Sequence, residues 1–218
     1  MMRRIAAAWL LAIGLSGTAL AADLQQLTRD TQRITKAGED LTFVWWMPQA
    51  WWEENLNGNP ALTAAGRSQV LAVLDDYIIF LIARKKVLIS GMESVSRSDM
   101  LAHARLEVGG KVIEPIEGQN LSPAMQGMLA SFKPALASML GKFGQSLEIV
   151  VYPGKRDGQS LVDPLKSGSL QYTFYGQTFT WRLPLGSLLP PKVDPKTNEE
   201  FPGNYDFNPY SGDPLRVK

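Results

Sequence analysis

Tyr77-Ile-Ile-Phe-Leu-Ile-Ala83 is the stretch on which the fold turns. It is a continuous apolar run between Asp75-Asp76 and Arg84-Lys85-Lys86, too short to cross a bilayer. A strand sends alternate side chains to opposite faces, so a strand apolar at every position has both faces covered. The run is therefore expected to be the central strand of a sheet.

Upstream, Leu41 to Met47 (Leu-Thr-Phe-Val-Trp-Trp-Met) is rich in strand formers, and Pro48 suits the first position of a helix through Leu56. Asn57-Gly58-Asn59-Pro60 reads as a turn. Asn59 is expected to cap, and Pro60 to open, a second helix with Leu62, Val70, Leu71, Val73 and Leu74, ended by Asp75-Asp76. Downstream, Arg84-Lys85-Lys86 reads as a solvated turn, and Val87 to Met92 extends the central strand or pairs with it. Ser96-Arg-Ser-Asp99 resembles a capping box for a short helix. Gly109-Gly110 predicts a hairpin between Ala104–Val108 and Lys111–Ile116, and Gly176-Gln177 another between Leu170–Tyr175 and Thr178–Leu183. From Ser122-Pro123, the residues Met125, Met128, Leu129, Phe132, Leu136, Met139, Leu140 and Phe143 form an amphipathic helical stripe, which Pro134 should kink near Ser131. Leu147 to Tyr152 is a further strand. The sum is an α+β fold, a mostly antiparallel sheet with packed helices.

Composition changes at Pro184. Half of the 14 prolines lie in the last 35 residues, which predicts a turn-built appendage pinned by Phe201, Tyr205, Phe207 and Tyr210. At the other end, Arg3-Arg4, the apolar run Ile5–Leu15 and Ala19-Leu-Ala21 have the three parts of a bacterial Sec-type signal peptide cut after Ala21. The organisation expected is 1–21 signal peptide, 22–40 N-terminal helix or arm, 41–183 α+β domain and 184–218 Pro-rich tail. Cleavage would release a periplasmic or secreted chain with no membrane anchor.

The chain has 22 basic and 21 acidic residues; without Arg3 and Arg4 the balance becomes 20 to 21. No basic excess points to nucleic acid or to an anionic membrane. Cysteine is absent, which excludes a thiolate nucleophile, a disulfide, a thiolate metal site and an N-terminal lipid anchor. His103 is the single histidine, and no Gly-x-Ser-x-Gly elbow, G-x-G-x-x-G fingerprint or P-loop follows the signal. No cofactor or metal is expected. Glu53/Glu54 and Asp75/Asp76 are adjacent in sequence and do not face one substrate on a helix.

Two constellations remain. Four of the six tryptophans, Trp45, Trp46, Trp51 and Trp52, fall within eight residues. Neighbours on a strand point apart and neighbours on a helix sit about 100° apart, so the four cannot share one core. One reading makes Trp46, Trp51 and Trp52 a ligand groove with Glu53 at its rim. The other packs them between sheet and helix, where large aromatics usually go.

The second is Asp194-Pro-Lys-Thr197 and Asn208-Pro-Tyr-Ser211. With cysteine at positions 194, 197, 208 and 211 the tail would have the C-x2-C…C-x2-C spacing of tetrahedral thiolate sites. The segment from about Leu189 to Leu215 thus resembles a zinc ribbon without its cysteines. Neutral Thr, Asn and Ser oxygens do not replace thiolates on zinc; the resemblance implies a metal-free ribbon held by Asx and Ser/Thr hydrogen bonds. A second reading is an ordinary Pro/Gly/Asn tail that matches the spacing by accident, and a third is a calcium site from Asp194, Asn208 and Asp213, whose spacing matches no known hard-cation loop.

The expected function is a non-catalytic binding or protein-interaction module of the bacterial periplasm, its partner an envelope protein or small ligand. Two alternatives stay open. One is a carboxylate-based hydrolase of cell-envelope glycans; the other is a structural domain that forms a homo-oligomer through its tail.

Overall fold

The computed structural model describes residues 20–89 and 91–218. The expected signal peptide lies outside the described residues except for Leu20 and Ala21. In chain order the elements are α1 (Leu20–Thr31), β1 (Gln32–Ala37), β2 (Asp40–Met47), α2 (Gln49–Asn57), α3 (Ala64–Leu74), β3 (Tyr77–Leu88), β4 (Gly91–Ser94), α4 (Arg97–Ala102), β5 (Ala104–Val108) and β6 (Lys111–Ile113). There follow α5 (Pro123–Gln145), β7 (Glu148–Pro153), β8 (Lys155–Arg156), β9 (Gln159–Ser160), β10 (Gly168–Phe174), β11 (Gln177–Leu183), β12 (Lys192–Val193), β13 (Glu200–Phe201) and β14 (Arg216–Val217). The architecture is α+β, and among the described residues every strand pairing is antiparallel.

The central strand is β3. It pairs with β2 along one edge, while β7 and then β4 share the other edge in succession. Its alternation sorts the core into two layers. Ile78, Phe80 and Ile82 share a face with Val44 and Trp46, and that face meets the second sheet, β11-β10-β5-β6. There the Phe80 ring stacks on Tyr172 at 4.3 Å and lies 5.7 Å from Trp181. Ile79, Leu81 and Ala83 point the other way, with Phe43 and Trp45, toward the helices. On that side Phe43 meets Phe143 of α5 at 5.5 Å. The second sheet is covered on one face only: Leu170, Tyr172 and Phe174, with Phe179 and Trp181, alternate inward against exposed Thr178, Thr180 and Arg182.

Several local expectations are corrected. Arg84-Lys85-Lys86 is not a turn but the continuation of β3. Lys85 falls on the helix-facing side and is only 3% exposed. Its ammonium lies 5.2 Å from the Phe143 ring, and burial lowers its pKa. The second helix does not begin at Pro60. Asn59 Oδ1 accepts from Ala61 N–H in a local turn, and Thr63 is the cap, its hydroxyl accepting from Gly66 N–H at 3.1 Å. Pro134 does not divide α5; it lies on the exposed side of the helix. The non-helical residue is Gly141, at φ 56 and ψ −135. The last hairpin turns at Tyr175-Gly176, one residue earlier than expected, with positive φ at both.

The segment before β2 is α1 and β1. Thr31 of α1 binds both sheets: its hydroxyl accepts from Trp45 Nε1 at 3.1 Å and its carbonyl from Trp181 Nε1 at 3.0 Å. No helix among the described residues is long and apolar enough to cross a membrane.

Candidate functional site

The tryptophan element divides between the two layers. Trp46, on β2, is buried against Trp181 of the second sheet, ring centres 6.3 Å apart. Trp45, Trp51, Trp52 and Phe132 form an edge-to-face and tilted chain on the helix side, with successive centres 5.0, 5.1 and 5.2 Å apart. Trp51 Nε1 donates to the Thr28 hydroxyl at 2.9 Å. Trp52 Nε1 is buried without an acceptor among the described residues. Glu53 is half-buried on α2. Trp46, Trp51 and Trp52 are therefore core side chains by burial, and they do not converge on one groove.

Trp46 does line a cleft. A space of about 180 Å³ is bounded by Trp46, Pro48, Gln49, Asp75, Tyr77 and Gly154. A larger one of about 550 Å³ opens between the Val108-Gly109 turn and the start of β10. Ser160, Val162 and Asp163 border both, so the segment after β9 is the wall between them. Asp75 and Asp163 are the carboxylates of the smaller cleft. Asp75, with Asp76, is ion-paired to Lys155. Asp163 accepts from Leu165 N–H at 3.0 Å and pairs with Lys166 at 3.1 Å; both contacts hold its pKa below the usual carboxylate range. A carboxylate so held is a fixed anion and a poor general acid.

His103 lies outside both clefts. Its ring stacks on Tyr175 at 4.4 Å, and Arg84 covers Tyr175 with its guanidinium carbon 4.2 Å from the ring centre. The Tyr175 hydroxyl donates to Asp99, and Arg84 pairs with Asp40 at 2.6 Å. Burial and the Asp99 carboxylate raise the Tyr175 pKa. This stack ties β3, α4 and the β10–β11 turn together. His103 Nδ1 lies 2.9 Å from the Asp99 carbonyl and 3.7 Å from Asp99 Oδ1, and among the described residues no serine hydroxyl bonds to His103, the contact a catalytic triad needs. No group of three or more His, Asp or Glu among the described residues is placed to hold a metal ion.

The tail forms its own sheet, β13-β12-β14. A 3-10 turn, Gly186–Leu188, joins it to the body: Ser187 N–H and Oγ donate to Asp30 of α1 at 3.1 and 2.9 Å. Only Phe201 of the four expected pinning aromatics is buried. Tyr205 is 41%, Phe207 61% and Tyr210 84% exposed. Three of the four aromatic residues of the tail are thus exposed, which residue type alone does not distinguish from packing.

Comparison with known protein families, with curated proteins and with solved structures found no match for this chain.

Proposed function

We propose that this chain is an exported, non-catalytic protein-interaction module that engages an envelope protein through its C-terminal ribbon. The observation that carries the reading is the exposure of three aromatic side chains, Tyr205, Phe207 and Tyr210, within six residues of the tail. Tyrosine and phenylalanine are enriched at protein interfaces, and scattered surface aromatics are less informative than grouped ones. The short strands and hydrogen-bonded turns of the ribbon supply order before binding, which reduces the entropic cost of association. Export is inferred from the signal-like residues 1–21, and cleavage after Ala21 leaves most of α1 in place.

The hydrolase alternative needs two functional carboxyls across one cleft. Asp75 and Asp163 border the smaller cleft, but each is ion-paired to a lysine. Phe207→Ser/Tyr210→Ser, made together, tests the interaction reading. Co-purification with the envelope partner should be lost while the thermal unfolding midpoint stays within a degree or two of wild type. Undiminished co-purification would overturn the reading.

A further inference from the structure

The two Pro-containing turns of the tail are the same structure repeated at an offset of 14 residues. In the first, Asp194 Oδ1 accepts from Lys196 N–H at 2.7 Å and Thr197 N–H at 3.3 Å. In the second, Asn208 Oδ1 accepts from Tyr210 N–H at 2.9 Å and Ser211 N–H at 3.3 Å. The Asp194 carbonyl accepts from Asn198 N–H at 2.8 Å, as the Asn208 carbonyl does from Gly212 N–H at 2.8 Å. Asn198 and Gly212 both have positive φ, 60 and 77. The Thr197 and Ser211 hydroxyls each accept from the amide two residues on, at 3.2 and 3.3 Å. Even the flanking pairs correspond: Val193 with Glu200, and Phe207 with Pro214.

The equivalent residues meet. Asn208 Nδ2 donates to Asp194 Oδ2 at 2.6 Å, and both side chains are buried. Each one therefore spends one oxygen on its own turn and its remaining polar atom on the other turn. A buried charge-assisted bond of this kind is stronger than a neutral one.

We propose that the tail is a two-fold repeated pair of knuckles locked by the Asp194–Asn208 bond, which makes the cross-link that a bound metal makes in a thiolate ribbon. The lock needs no metal and no oxidant, so the ribbon closes in any redox compartment. It also holds the second knuckle, from which Phe207 and Tyr210 project. The inference does not depend on what those aromatics bind.

The near-symmetry provides the test. Asp194→Asn sets two amide donors face to face, and Asn208→Asp sets two carboxylates face to face. The double exchange Asp194→Asn/Asn208→Asp rebuilds the bond in the opposite sense. Amide hydrogen exchange is read at Lys196, Thr197, Tyr210 and Ser211 in the full chain, with the amides of β3 as the internal control for the body. Each single variant should speed exchange in both knuckles roughly tenfold or more, and the double variant should return it to within about threefold of wild type. Unchanged exchange in the single variants, or a double variant as open as the singles, overturns the proposal.

Discussion

Individual side chains show how position overrides residue type. Trp51 and Trp52 are adjacent on α2, both buried, yet the first has an acceptor in Thr28 and the second has none among the described residues. Truncation of either to Ala should cost about 3–5 kcal/mol by urea denaturation, the range for large aromatics lost from a core. A loss under about 1 kcal/mol would show that the ring does not pack as described. Tyr152 gives a pH test. Burial between the sheets is the main cause that pushes its pKa up to about 12; its hydroxyl lies 3.2 Å from the Tyr172 hydroxyl. A phenol raised in the folded state contributes stability that is complete below its unfolded pKa of about 10. That contribution is lost as pH rises from there through the folded value. Unfolding free energy should therefore fall between about pH 10 and 12, and Tyr152→Phe should flatten that slope. At this scale the apolar run of β3 was legible because every position carried the same signal. Lys85 was not: its residue type indicates solvent, and the Phe143 ring that covers it comes from a distant helix.

At the level of elements, what could be read depended on whether the signal was local. The Gly109-Gly110 hairpin and the Ser122-Pro123 helix start are local, and both are present where the sequence places them. The sequence points to Pro134 as the break in α5, but a proline on the solvent side is tolerated, whereas Gly141 adopts a non-helical conformation that its residue type permits without requiring. The knuckle repeat was legible only as two Pro-containing turns. Its equivalences are chemical, with Asp matched to Asn, Thr to Ser and Asn to Gly, and only the proline is identical. The join between ribbon and body is tight at Gly203. A Cβ there would lie 2.4 Å from the Pro190 carbonyl oxygen and 2.5 Å from Leu189 Cβ. Because part of that obstacle is backbone, Gly203→Ala should cost about 1–3 kcal/mol of local stability. Limited proteolysis should then cut between residues 189 and 205 faster than in wild type, while the body resists as before. An unchanged cleavage rate would mean that the ribbon root can shift without loss.

For the whole molecule, the α+β class followed from combining one doubly buried strand with alternating hairpins and amphipathic helices, a consistency across levels that made the class readable. The site was far less readable. Tryptophan clustering marks Trp46, Trp51 and Trp52, but their burial is a matter of which elements pack together, and sequence spacing does not report that. The exposed aromatics Phe207 and Tyr210 have the same composition signal as the buried Phe201. Asp30 and Ser187 join the tail to the body; on the proposed function the body is a scaffold and the tail the working surface. Native mass spectrometry of the protein drawn gently from its own envelope fraction tests this most directly. The account predicts the cleaved chain bound to a different protein, and the free chain alone when Phe207 and Tyr210 are replaced by serine. A wild-type chain found only as a bare monomer, or only as multiples of itself, would contradict it.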